Sequence, residues 1–254
     1  MTKNNTDKID YYDDKDHDYQ DFWVGRDYEH EAELIAISKL LGGRHYKLAM
    51  DYGGGYGRLS PALLKYSDKV ILVDPSKKQL DIAKRKLKGN QFEFVIQDKK
   101  DNVPAKKESL DLLVMVRVSH HLPDPNPVLK EIARSLKPNG EAIIEIASEA
   151  HMINRMRYLK RFKSVPKEPV PIGEYANGKG DDTPFVNHNP ETIKEQLNKA
   201  GLQVIGKLSV SNLRHKAIKN NIPIGAMLAF ERVAQKPLAK INFGPSIFYL
   251  VKKS

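Results

Sequence analysis

The chain places four glycines within five positions in "DYGGGYG", residues 51–57, directly after the short apolar run "YKLAM". An apolar run of that length closed by an acidic residue reads as a buried strand, and beyond the glycines Leu59, Ala62, Leu63 and Tyr66 recur at helical spacing. Pro61 suits the first turn of that helix, where backbone amides have no partner inside the helix. The glycines therefore occupy a strand-to-helix turn. Glycine there accepts positive φ and lets backbone approach a ligand with no Cβ in the way. A dinucleotide turn, G-x-G-x-x-G, needs a third glycine where this chain has Arg58; the spacing is instead Gly53, Gly55, Gly57 behind Asp51.

Further along, the chain alternates in units of about thirty residues. "DKVILVD" reads as a second buried strand and "PSKKQLDIAKRKL" as a helix started by Ser76. "QFEFVIQD" predicts a third strand, "SLDLLVMVRVS" a fourth running to about Val118, and "EAIIEIAS" a fifth, after a helix that closes in a turn at Pro138, Asn139 and Gly140. Such alternation predicts an α/β fold with a doubly wound, mostly parallel sheet. In that architecture the ligand crevice lies beyond the carboxyl ends of the strands, and Asp51, Asp74, Asp98 and residues 117–121 all fall there. Residues 1–20 read as disordered or loosely ordered, and 21–254 as one domain, opening with a helix that stops at Gly42 and Gly43. Two stretches break the rhythm, 149–189 and 211–240. The first is basic and aromatic, then rich in Pro and Gly, and predicts a lid.

Composition narrows the chemistry. With no cysteine, disulfides, thiolate zinc sites, iron–sulfur clusters and cysteine nucleophiles are excluded, and a reducing cytoplasm is the expected setting. No apolar run reaches the length of a membrane span, and the polar, acidic start carries no signal-peptide pattern. The net charge of +10 is unevenly placed: residues 1–30 hold 4 basic and 9 acidic side chains, 31–150 hold 20 and 16, and 151–254 hold 18 and 7. A basic C-terminal third admits nucleic acid or anionic small molecules as partners, and equally a solvated lysine-rich surface with none.

Taken together, the acid-led Gly-x-Gly-x-Gly turn, "VILVDPSKKQL" and the run from "FVIQD" through "VSHHLPDPNPVLKEIARSLKPNGEAIIEI" resemble the class I S-adenosylmethionine (SAM) dependent methyltransferases, of the small-molecule type that includes the ubiquinone-biosynthesis C-methyltransferases. The likeness is strongest over residues 45–148. It implies a Rossmann-like seven-strand sheet whose last strand is antiparallel, and SAM as methyl donor with S-adenosylhomocysteine as product; no residues are assigned to a metal. By the same resemblance Gly53, Gly55 and Gly57 pass under the cofactor, Asp51 faces its ammonium directly or through water, Asp74 accepts from the ribose hydroxyls, and Asp98 accepts from the adenine amine unless it is only a turn aspartate. Arg117 is expected to contribute backbone more than guanidinium, since its strand is otherwise apolar. Arg26, in "YQDFWVGRDYEHEAE", either pairs with the methionine carboxylate or belongs to an aromatic helix packed on the sheet.

His120 aligns with the general-base histidine of the related plant phenolic O-methyltransferases, where an imidazole titrating near neutrality takes a hydroxyl's proton. The bland alternative is that "HHL" packs before its Asp-Pro turn. The implied activity is methyl transfer to oxygen, nitrogen or carbon of a metabolite. RNA or protein methylation is the alternative raised by "NRMRYLKRFK", but "RVSHHLPDP" lacks the Asn/Asp-Pro-Pro-Tyr signature of amino-methylating nucleic-acid enzymes. A non-catalytic SAM-binding protein is the third reading.

Overall fold

A computed structural model describes residues 20–99, 101–173 and 185–254; nearly all of the N-terminal segment expected to be loose, and residues 174–184 of the first expected lid, lie outside them. After a 3-10 turn at Asp21–Trp23, the elements are α1 (Asp27–Leu41), β1 (Tyr46–Tyr52), α2 (Ser60–Leu63), β2 (Ser67–Asp74), α3 (Lys77–Lys86), β3 (Phe92–Ile96), β4 (Leu110–Met115), α4 (Asn126–Ser135) and β5 (Leu136–Ala147). There follow α5 (Met152–Lys160), a two-stranded ribbon of β6 (Val170–Pro171) and β7 (Val186–Asn187), α6 (Pro190–Lys199), β8 (Leu202–Val210), α7 (Lys216–Lys219), α8 (Ile224–Ala239) and β9 (Ser246–Lys253).

Seven strands form one sheet in the order β3-β2-β1-β4-β5-β9-β8. The pairs among β1 to β5 are parallel, and β9 runs antiparallel to both β5 and β8. This is the expected sheet, including its reversed last strand. Successive side chains on a strand point to opposite faces, so near-continuous apolar runs fill two cores at once. On β4, Leu112 and Val114 meet the α1 side with Ala36, Ile37 and Leu41, whereas Leu113 and Met115 meet the α4 and α6 side with Leu129, Ile132 and Leu197. Each such aliphatic side chain, taken fully out of water, stabilises the fold by about 1.5–3 kcal/mol.

The strand order reverses between β1 and β4, since the chain winds outward to β3 and then returns to the other side of β1. That reversal opens the crevice above the carboxyl ends of those two strands.

Two boundaries differ from the sequence-based expectation. β4 stops at Met115, not near Val118, because Arg117 takes φ +64° and ends the ladder. The turn at Pro138, Asn139 and Gly140 is absorbed into β5 as an irregularity: the register with β4 slips between Leu110 and Leu112, and Asn139 sits at φ +64°. Asparagine tolerates that left-handed backbone.

Candidate active site

The glycine turn is built by hydrogen bonds from its own amides. Gly53 N and Gly54 N donate to Val73 O at 2.8 and 3.1 Å, Gly57 N donates to Gly54 O at 2.9 Å, and Gly53, Gly55 and Gly57 all have positive φ. Side chains there would collide: a Cβ on Gly53 would stand 2.3 Å from Val118 Cγ2, and one on Gly54 would stand 2.7 Å from the carboxyl carbon of Asp51. Gly54 thus has its own reason to be glycine, beyond the three of the motif.

Asp74 closes the turn from β2. Its Oδ2 accepts from Gly55 N at 2.8 Å and its Oδ1 from Ser76 N at 2.9 Å, while Ser76 Oγ caps α3 by accepting from Gln79 N. The carboxylate is buried at the strand end where a ribose-binding acid is expected. Asp51 lies deeper. It is 2% exposed, turned under Gly54, and accepts from Ser60 Oγ at 2.6 Å. Burial pushes its pKa up to about 6, a rise that the Ser60 hydrogen bond and the Arg58 charge partly offset. Contact between Asp51 and a ligand's ammonium has to pass through water or a shift of the turn. Asp98 lies two residues past the end of β3 and is exposed. Beside it Gln97, which sequence reasoning passed over, organises that loop by donating to Tyr52 Oη at 2.8 Å and Asn102 O at 3.0 Å.

Arg117 turns its side chain toward α1. Its guanidinium is engaged: Nε donates to Glu33 at 2.7 Å, and Arg58 Nη2 donates to the same carboxylate at 2.5 Å. Glu33 is fully buried on α1. Burial alone would push its carboxyl up, but Arg117 and Arg58 outweigh that and hold it below the usual range. Trp23 covers the cluster, with its ring centroid 3.6 Å from the Arg58 guanidinium carbon. Arg58 Nη1 lies 2.6 Å from His30 Nδ1, so that nitrogen must be the acceptor; burial and then the Arg58 charge keep the His30 pKa low. This network clamps the N-terminal segment over the turns that follow β1 and β4.

A cavity of about 300 Å³ opens beside the clamp, lined among others by Arg26, Arg117, His120, His151, Phe185 and Arg214. His120 sits in a 3-10 turn, Ser119–His121, with its ring stacked on Phe185 at 5.5 Å and 16°. Burial, then the neighbouring His121, Arg117 and His188, push its pKa well below the ordinary histidine value. The imidazole is therefore neutral at physiological pH, rather than titrating near it as the sequence reading supposed. Arg26 lines the same cavity, with its guanidinium 3.6 Å from the Phe22 ring centroid.

Arg214 and Phe185 carry no sequence signal that would place them here. Arg214 arrives because Tyr28 Oη, accepting from Leu213 N at 2.8 Å and donating to the buried Glu231 at 2.5 Å, pins the turn after β8 to α1 and α8. Among the described residues no carboxylate forms an ion pair with the Arg214 guanidinium, and none forms a cluster of metal-ligating side chains.

A sheet of this order, with a glycine turn on β1 and an acid on β2 flanking the reversal point, defines a class I methyltransferase type of α/β enzyme. Comparison with known proteins agrees. A sequence profile described as a methyltransferase domain matches residues 50–144. The demethylmenaquinone methyltransferase of Lactobacillus johnsonii is 30% identical over 177 residues, 64% of this chain and 71% of that one. The ubiquinone biosynthesis O-methyltransferase of Coxiella burnetii is 25% identical over 72% of this chain and 73% of its own. Among solved structures, a SAM-dependent methyltransferase from Thermotoga maritima superposes with a TM-score of 0.62 at 20% identity, covering 93% of this chain and 94% of that one. The chain belongs to the class I SAM-dependent methyltransferases, and SAM is its methyl donor.

The residues present suit such a donor. Carboxylates at the ends of β1 and β2 match ribose hydroxyls and an ammonium, and a guanidinium on the cavity wall matches a carboxylate. No helix among the described residues is long and apolar enough to cross a membrane.

Proposed function

We propose that the cavity beyond β4 and β5 is the methyl-acceptor site, and that the chain methylates a hydroxyl or an activated ring carbon of a small aromatic metabolite. The observation that carries this reading is His120, neutral and stacked on Phe185 on the wall of a cavity of metabolite size. The relatives' quinone-biosynthetic names point to phenolic or quinol acceptors.

When bound, SAM supplies the activated methyl group on its sulfonium. The chain supplies position and proton handling. In this reading Asp74 and the turn of Gly53, Gly55 and Gly57 hold the nucleoside, Asp98 borders the adenine, Asp51 acts on the ammonium through the turn, and Arg26 pairs with the carboxylate. Arg117 shapes the wall through its bond to Glu33. His120 accepts a hydrogen bond from the acceptor hydroxyl and takes its proton as the new bond to the methyl carbon forms. Its low pKa makes it a weak base, so its contribution falls at the lower end of the usual range, about 10²-fold.

Calorimetry with S-adenosylhomocysteine and methyl transfer from labelled SAM to catechol and naphthoquinol test the scheme. Asp74→Ala is expected to weaken nucleoside binding by about 1.5–3 kcal/mol, the scale of hydrogen bonds to a charged group. His120→Ala is expected to keep that binding and lose rate. Unchanged kinetics for His120→Ala on a hydroxyl acceptor would remove it from the chemistry, and failure of the wild type to bind the nucleoside would remove the whole assignment of the site.

A further inference from the structure

We propose that α5 and the turn after it form a docking face for an anionic phospholipid surface. Helices on a protein surface normally turn their apolar stripe inward. This one does the reverse. Successive residues of a helix are about 100° apart, which places Ile153, Met156 and Leu159 within an arc of about 120°, centred opposite Asn154 and Tyr158. The inward side is the polar one. Asn154 is buried and accepts from Arg157 Nη1 at 3.0 Å, and Tyr158 Oη donates to the buried Glu149 at 2.8 Å. The apolar side faces out: Ile153 is 44% exposed, Met156 52%, Leu159 74%, and Phe162, in the turn that follows, 98%. Ile241, also exposed, adjoins this face, since Arg155 Nη1 donates to its carbonyl at 2.5 Å.

Charge selects the occupant. Residues 151–167 include Arg155, Arg157, Lys160, Arg161, Lys163 and Lys167 and not one acidic side chain. On the helix, Arg155 flanks one edge of the apolar arc and Arg157 the other, while Lys160 falls within it beside Ile153, so their stems can lie along an apolar phase while their heads stay in water. An outward apolar stripe edged by cations is the pattern of a helix that lies in the plane of a bilayer interface. Near an anionic leaflet each basic side chain adds about fivefold to binding, and a stripe of three or four large apolar residues supplies the rest. A nucleic acid would use the cations and leave the apolar arc in water.

The placement has a consequence for substrate. His151, the residue before α5, lines the acceptor cavity, so a docked α5 sets that cavity beside the lipid phase. This link to substrate entry rests on the cavity being the acceptor site. The docking itself does not.

The test uses the full chain with vesicles of phosphatidylcholine alone or with three-tenths phosphatidylglycerol, at 0.1 M salt. The wild type is expected to sediment with the anionic vesicles at least tenfold more strongly than with the neutral ones. The double variant L159E/F162E, changed only at exposed positions, is expected to lose that binding at least tenfold while keeping its affinity for S-adenosylhomocysteine. Absence of wild-type binding to anionic vesicles overturns the proposal, as does binding that L159E/F162E retains, which would be charge attraction alone. A concentration-dependent dimer abolished by L159E/F162E would give the face to a second copy of the chain and also overturn it. Because nucleoside affinity is read in the same samples, failure of docking and failure of the methyltransferase site are told apart.

Discussion

Asp51 holds a charge where the fold would be more stable without one. Its carboxyl is almost wholly buried, and its pKa stands at about 6 against a reference of 3.8. Roughly two pKa units at about 1.4 kcal/mol each put the cost of the ionised form near 3 kcal/mol above pH 6. The sign follows from proton uptake. As pH falls through about 6 the folded chain takes up a proton that the unfolded chain does not bind until about 3.8, so this group's contribution improves across that window and is level on either side.

Asp51→Asn removes the ionisation and keeps the shape. It also exchanges a charged acceptor of the Ser60 hydrogen bond for a neutral one, a loss of about 1 kcal/mol. The expected net gain is about 2 kcal/mol at pH 8, shrinking as pH is lowered below about 6 and gone by about pH 4.5. Urea unfolding of both proteins at several pH values reads the difference directly, and groups common to the two cancel. Calorimetry on the same samples shows what the charge is kept for: if it serves the ammonium of the cofactor, affinity for S-adenosylhomocysteine drops as stability rises. No gain at pH 8, or a gain that is equally large at pH 5, refutes the account of Asp51 as a strained, ionised group.

Glu33→Gln should cost about 3–5 kcal/mol in urea unfolding, because it leaves Arg58 and Arg117 without their shared buried counter-charge. Glu33's own contribution is present above its unfolded value of about 4.5 and is lost as pH falls through its lowered folded value, so acid unfolding of the variant should be less steep there. A cost under 1 kcal/mol would mean that the clamp is not structural. Tyr28→Phe should destabilise by about 1–3 kcal/mol, since it deprives the buried Glu231 carboxylate and Leu213 N of a partner; unchanged stability would show that water replaces the hydroxyl. For His120, rate on a hydroxyl acceptor should be flat from pH 7 to 8 and fall only in acid, because its pKa lies well below 6.5. A rate that climbs through neutrality would place the proton on another group.

The sheet was legible in the sequence because its signals are local. Apolar runs of strand length, acids at their ends, and glycines where a turn must pass under a ligand are each readable within about ten residues. What escaped is set by partners far along the chain. Arg117 looked like the continuation of an apolar strand, yet its backbone is turned away at positive φ, with its amide donating to Glu145 and its side chain to Glu33, 84 positions earlier. Tyr28 reaches Glu231 across 203 positions, and that contact is what brings Arg214 to the cavity.

Helix α1 shows why pattern alone could not find this. Its buried apolar positions are Tyr28, Ala32, Ala36, Ile37, Leu40 and Leu41, but Glu29 and Glu33 are buried too, one turn apart in the middle of the same inward arc. A carboxylate on an apolar face ordinarily argues that the face is turned outward. Here each one is answered by a cation from elsewhere, Lys219 for Glu29, Arg58 and Arg117 for Glu33. The misfit was the informative signal: two acids at i and i+4 on a helix's core side require buried cations opposite them. In this fold those cations come from the turns after β1 and β4 and from α7, so the charge pairing that spoils the amphipathic pattern is also what closes the N-terminal segment over the site.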